Sequence, residues 1–302
     1  MGQYYVVVDI GGTAIKYGLT DANGNFFVQD SQPTKAIEDG GMGIVHKVVA
    51  IVQSFKAQYN ITGVAIDTAG IVKPEPDGEI IYAGEKSFPG YSGIKLGKLV
   101  SEACALPCTV ENDVNAAAMG EYWQGAAKGA ASAFVMTVGT GIGGAILIDG
   151  KIFSGASFSA GELGFSRLHG ENRILEEVAS TRAMINEAAC SHNMSLAELP
   201  GETVFKWAKQ GDVDAVLAIE HMTDALSEGI ANVCALLNPE VIVLGGGIMD
   251  QREYLYPRLS QRLKTLVVPA MRTNTRLVFA ELGNVAGMIG ALYSFLQRNK
   301  TQ

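Results

Sequence analysis

AFVMTVGTGIGGAILIDG, running from Ala133 to Gly150, is the stretch whose reading decides the fold. Gly139, Gly141 and Gly144 satisfy G-x-G-x-x-G, the spacing of a dinucleotide-binding turn that opens a helix. Here Ala145 to Ile148 has no helical spacing and runs straight into Asp149-Gly150, a hairpin signal. The segment therefore reads as strand (Ala133 to Val138), glycine turn (Gly139 to Gly144) and strand (Ala145 to Ile148). Successive N–H groups in such a turn form a concavity that binds anions. An ordinary hairpin has the same signature, so the surroundings decide its meaning.

The start of the chain repeats the pattern. Tyr4 to Ile10 (YYVVVDI) is an apolar run carrying Asp9, as in a buried strand. Gly11-Gly12-Thr13 makes a turn, Ala14 to Leu19 a second strand, Asn23-Gly24 a hairpin, and Phe26 to Gln29 a third strand. Two blocks that open alike imply a duplicated unit, each copy aiming backbone amides at one crevice between two α/β domains. Asp9 adds a carboxylate able to hold Mg²⁺ through water. A third glycine turn, Gly245-Gly246-Gly247, follows Asn238-Pro239-Glu240 and the strand Val241 to Leu244. Three glycines let a flat base approach the backbone; they also suit a plain helix-capping turn. No G-x-x-x-x-G-K-[ST] loop occurs.

Between these turns the apolar spacing predicts helices over Ile44 to Tyr59, Ile94 to Ala105, Leu175 to Ala189, Val213 to Leu237, Tyr254 to Leu266 and Ala286 to Gln297. Further strands are expected at Val64 to Ile66, which runs into Asp67-Thr-Ala-Gly70, at Cys108 to Glu111 and at Leu277 to Ala280, with a surface turn at Lys73 to Gly78. Val110 to Glu121 (VENDVNAAAMGE) reads as a strand end followed by a helix of small residues, whose backbone can lie close against a neighbour. Asn112 and Asp113 favour a helix start. On these residues alone Asp113 is better explained as an N-cap than by chemistry, and the rest of the chain reverses that reading.

Composition narrows the function classes. The 302 residues suit two domains; 48% are apolar, 36 are glycine, and the net charge is −8. With no Lys/Arg run, a nucleic-acid surface is not expected. Cys104, Cys108, Cys190 and Cys234 are scattered, as four reduced thiols would be. No apolar stretch reaches a membrane span, and a strand starts too early to leave a signal peptide. A cytoplasmic protein is expected.

Together these segments resemble the ROK family of sugar kinases (repressors, open reading frames and kinases), over nearly the whole chain. Asp9-Ile-Gly11-Gly12-Thr13-Ala-Ile-Lys16 resembles the first phosphate motif and Thr137-Val-Gly139-Thr140-Gly141-Ile-Gly-Gly144 the second. Asn238 to Ile248, with Gly245, Gly246 and Gly247, is similar to the adenosine motif. Val110 to Glu121 resembles the catalytic segment, which makes Asp113 the general base and Asn112 a sugar contact. Gly155 to Gly164 resembles the sugar signature, giving Glu162 as a sugar ligand, and Leu175 to Ser180 the segment that supplies a second glutamate, here Glu176. The resemblance implies an α/β, actin-like (ribonuclease H-like) fold of two domains with an interdomain cleft. The domains would be 1–115, completed by a C-terminal helix over 286–302, and 116–285. ATP, Mg²⁺, a sugar substrate and a homodimer are implied too.

Two departures bear on the substrate. Where zinc-bearing members have a histidine three residues after the sugar-binding glutamate, this chain has Phe165. Arg167 to Ile174 carries no cysteine run, and His169 stands alone there, so no structural zinc is expected. Ser87 replaces the asparagine common before Leu-Pro-Gly, here Phe88-Pro89-Gly90. Zinc-free members include β-glucoside kinases, so the expected reaction is phosphorylation of the 6-hydroxyl of a β-glucoside or related hexose. An N-acetylmannosamine kinase is the alternative. A repressor would carry a helix-turn-helix ahead of the first strand, for which Tyr4 leaves no room. A sugar-binding protein without catalysis is disfavoured because Asp9, Thr13, Asp113, Glu162 and Glu176 are all present.

Overall fold

The computed structural model describes residues 2–170, 172–195 and 199–299. They form two compact units: Met1–Gly125 with Ser154–Ser159 and Asn284–Gln302, and Ala126–Phe153 with Ala160–Gly283. No helix among the described residues is long and apolar enough to cross a membrane.

In the first unit β1 (Tyr4–Ile10), β2 (Ala14–Thr20) and β3 (Phe26–Pro33) form an antiparallel meander. After helix α1 (Ala36–Lys56), β4 (Ile61–Thr68) lies parallel to β1. A small ribbon, β5 (Ile71–Lys73) with β6 (Glu79–Tyr82), precedes α2 (Leu96–Cys104), β7 (Cys108–Asn112) and α3 (Asp113–Gln124). The five-stranded sheet has the order β3-β2-β1-β4-β7. Its central strands are buried on both faces, which explains the unbroken apolar runs in β1 and β4. One face is covered by Ile44, Val48 and Val52 of α1 with Leu96 and Val100 of α2. Against the other lie Met288, Ala291, Leu292 and Phe295 of the C-terminal helix.

The second unit repeats the plan. β8 (Ser132–Val138), β9 (Ile142–Ile148) and β10 (Lys151–Ile152) form the meander. They are followed by α4 (Leu175–Ala179), α5 (Thr181–Ser191), α6 (Gly201–Lys209) and α7 (Val213–Leu236). β11 (Val241–Gly245), α8 (Arg252–Leu266), α9 (Pro269–Arg272) and β12 (Arg276–Phe279) complete it, and α10 (Ala286–Asn299) returns to the first unit. The sheet order, β10-β9-β8-β11-β12, matches that of the first unit strand for strand.

Three of the departures from the sequence expectation have local reasons. The helix expected from Leu175 to Ala189 is two, because Ser180 is extended and caps α5 through a hydrogen bond from Ala183 N. α1 starts earlier than Ile44, with non-helical backbone at Gly40 (φ 63°) absorbing a kink. α6 was missed because its apolar face, Val204, Phe205 and Ala208, is short.

Candidate functional site

In the first unit the turn Gly11–Thr13 is braced from below. Gly11 N donates to Ala14 O (3.1 Å), and the buried Thr34 donates its hydroxyl to Gly11 O (2.6 Å) and its N–H to Thr13 O (3.0 Å). Lys16 Nζ lies 3.0 Å from Asp9 Oδ2, so one carboxylate oxygen of Asp9 already faces a cation.

Asn112 is the N-cap of α3. Its Oδ1 accepts from Val114 N (3.0 Å) and Asn115 N (2.9 Å), a cap of the kind worth about 1 kcal/mol. Its Nδ2 donates to Gly70 O and to Asp113 Oδ1, both at 2.9 Å. Asn112 is 8% exposed and its amide is fully engaged within the fold. With the cap supplied by Asn112, Asp113 sits one residue inside the helix and is not needed to close it. Its Oδ1 accepts from Asn112 Nδ2 and Val114 N, which fixes the carboxylate plane.

The acidity of Asp113 is set by its surroundings. Burial, with the nearby Asp9 charge adding to it, raises its pKa to about 6 against the pull of the Val114 and Asn112 hydrogen bonds. A raised carboxylate is protonated below that value and free to take a proton above it. Were Asp113 the base of a reaction, kcat/KM would climb about tenfold per pH unit on the acid side and level off above pH about 6. A flat profile from pH 5 to 8 would dissociate Asp113 from proton transfer.

Asp67 belongs to the same surroundings and was passed over in the sequence, where it looked like a strand end. The register pairs Asp9 with Asp67, and Asp67 with Glu111, on adjacent parallel strands. Three carboxylates thus form a row across β1, β4 and β7. The outer two have cations: Lys16 for Asp9, and Arg298 Nη2 at 2.8 Å for Glu111. Asp67 is 1% exposed and its Oδ2 has no hydrogen-bond partner. Burial first, then the Asp9 and Asp113 charges, push its pKa well above the usual carboxylate range. The usable signal was Asp67-Thr-Ala-Gly70, a second aspartate entering a glycine turn from a strand, as in Asp9-Ile-Gly11.

In the second unit the turn after β8 closes with Gly139 N to Gly141 O (2.9 Å), and Ile142 at once pairs back onto Val138. Strand, turn, strand is the observed order, so the dinucleotide motif is excluded. Neither Gly139 nor Gly141 has positive φ; Gly141 is constrained instead by Glu176, whose Oε2 would lie 2.5 Å from a Cβ at that position. Gly246 does have positive φ (108°), and a Cβ there would approach the Val138 carbonyl carbon to 2.8 Å. Gly245 is paired with Thr137 across β11 and β8. The residues Thr137, Gly139, Thr140, Gly141, Gly245, Gly246 and Gly247 are therefore assembled at one end of this sheet.

The sugar-signature segment backs onto the same strand. Gly161 (φ 97°) packs against Gly144, and Gly164 against the Ile142 carbonyl, positions where a side chain would collide with backbone. Glu162 lies between these two glycines, and Glu176 accepts from Ile142 N at 3.3 Å. Phe165 ends the following short turn with 60% of its surface exposed. The Arg167 to Ile174 loop is closed by an antiparallel bridge between its ends and by Leu168 in the core. Ser87 is exposed in a turn whose Phe88 stacks on Tyr91.

Comparison with known proteins accords with this geometry. The ROK family model matches residues 5–298. An uncharacterized Clostridium perfringens protein is 40% identical over 291 residues, covering 96% of this chain and 97% of its own. A beta-glucoside kinase of Listeria monocytogenes is 30% identical, covering 96% of each chain. A ROK family glucokinase from Streptomyces griseus, solved in complex with glucose and AMPPNP, superposes with a TM-score of 0.82 at 28% identity, covering 96% of this chain and 98% of that one.

Proposed function

Because this chain belongs to the ROK family and is an ATP-dependent carbohydrate kinase, we propose that it phosphorylates the 6-hydroxyl of a β-glucoside or related hexose, with Asp113 as general base. The carrying observation is the Asp113 carboxylate, oriented by two hydrogen bonds, relieved of capping by Asn112 and raised to about 6. Phosphoryl transfer runs through a loose transition state, so orienting the hydroxyl matters more than base strength.

The remaining roles follow the chemistry of each group. Amides of the Gly11–Thr13 and Gly139–Gly141 turns take the phosphates, with Lys16 adding positive charge. Gly245–Gly247 leave room for the adenine ring. Asp9 offers hard oxygen donors of the kind Mg²⁺ prefers, and would hold the ion through water. When bound, that ion neutralises charge on the triphosphate. Glu162 and Glu176 accept hydrogen bonds from ring hydroxyls, and Asn112 holds Asp113 in place beside the sugar. We infer a cytoplasmic location, where ATP is supplied, and a homodimer.

Phe165 supports the β-glucoside choice over an N-acetylmannosamine kinase. A phenylalanine that merely filled the space of a missing metal site would be buried, yet this one is 60% exposed and offers an apolar face to a pyranose ring. Steady-state kcat/KM on cellobiose, glucose and N-acetylmannosamine is the test. The first two are expected to be turned over and the third poorly. Preference for the N-acetylated sugar would reject the acceptor and keep the kinase.

A further inference from the structure

Ile142 is held at both its N–H and its carbonyl by the segment that carries the two sugar-site glutamates. Its N–H donates to Glu176 Oε2 at 3.3 Å, and its carbonyl is covered by Gly164, two residues beyond Glu162. Thr181 fastens the same turn further along, donating its N–H to Gly139 O (2.9 Å) and its hydroxyl to Val138 O (3.4 Å). Leu175, beside Glu176, is fully buried against α7 and donates its N–H to Ser166 O (2.7 Å). The glutamate therefore stands on a fixed base, and only its side chain is free to respond to a ligand.

A carboxylate has two oxygens and about four acceptor sites. One oxygen of Glu176 meets the residue that ends the Gly139–Gly141 turn; the other remains for a ligand hydroxyl. We propose that Glu176 serves both substrates, one oxygen bracing the phosphate turn through Ile142 N–H while the other receives a hydroxyl of the acceptor, so that acceptor and nucleotide binding are coupled through this side chain. This rests on the kinase reading, with the turn taken as a phosphate site. A bound hydroxyl restrains the carboxylate and so restrains the turn amide; by linkage, an ordered turn favours the acceptor by the same factor. Toward the nucleotide Glu176 is a positioning residue, since it acts through the Ile142 peptide.

The test compares Glu176→Gln and Glu176→Ala with the parent. Binding of AMPPNP is measured calorimetrically without sugar, and KM for the acceptor by ADP release on the three sugars above. Gln keeps an oxygen for Ile142 N–H but loses the charge. It should bind AMPPNP like the parent while its sugar KM rises. Ala loses both functions and should weaken sugar-free AMPPNP binding at least ~5-fold, the lower end of typical coupling between sites. Unchanged melting temperatures verify the fold, since Glu176 is half-buried and its removal leaves no apolar void. AMPPNP affinity equal to the parent's in the Ala variant overturns the proposal, as does equal weakening in both variants. Parent protein that binds AMPPNP but phosphorylates none of the three sugars would instead reject the proposed acceptor, while the sugar-free affinities still report on the brace.

Discussion

Asp113→Asn is expected to lower kcat at least ~100-fold while leaving KM for ATP and sugar close to the parent's, the low end of what a general base contributes. The substitution is nearly isosteric, and the amide oxygen can still accept from Val114 N and Asn112 Nδ2 as Oδ1 does now. The cap of α3 is untouched, because it belongs to Asn112. What disappears is the site that takes the proton, together with a negative charge that burial makes costly. Since that charge is a cost to the folded protein, the variant should be no less stable than the parent near pH 7. The linkage has a definite sign: a carboxylate with its folded pKa raised to about 6 withdraws stability as pH rises from its ordinary value toward 6, and Asn has nothing to titrate there. Loss of turnover at an unchanged or higher melting temperature is thus the signature of a chemical role. Near-parental turnover would take Asp113 out of the mechanism, and the acid limb of the pH profile would then need another owner.

How far the sequence could be read followed from the kind of constraint each residue answers to. Glycine turns between apolar strands are local, and both strand–turn–strand units were legible because Asn23-Gly24 and Asp149-Gly150 say how the next strand comes back. The small residues of α3 were legible too, since a run of alanines ending in glycine has little use other than close approach. The acidity of Asp113 was not, because it depends first on burial that only packing creates and then on the Asp9 charge. Asp67 escaped for the same reason: its strand neighbour Asp9 is 58 positions away, and only register shows that the cations fall on Asp9 and Glu111 and not on it. The Glu176 contact with Ile142 spans 34 positions and lay equally out of reach of any local pattern.

The close approach of α3 leads to the second large effect. Gly290→Val is expected to destabilise the first unit by roughly 3 kcal/mol or more, the upper end for overpacking, and to abolish soluble expression if the margin is small. At Gly290 a Cβ would fall inside the Ala116 carbonyl oxygen and 2.6 Å from Gly120 N; at Gly120 it would run into the Ala286 carbonyl. α3 and α10 therefore meet backbone to backbone, with Ala116, Ala291 and Leu292 filling the seam beside the sheet. The obstacle is main chain on both sides, so no rotamer change relieves it, and the helices must part. A loss of 3 kcal/mol corresponds to a fall of roughly 6–12 °C in melting temperature for a protein of this size. The consequence reaches the chemistry, because α3 begins at Asp113 and α10 also carries Arg298, the partner of buried Glu111. Any Gly290→Val protein that does fold should, on the proposed role of Asp113, show reduced kcat, while its AMPPNP affinity changes less. Gly290→Ala should fall between variant and parent in melting temperature. A Gly290→Val protein that melts with the parent would mean that α3 is not seated on α10 at this glycine, and the placement of Asp113 would have to be explained by the Asn112 cap alone.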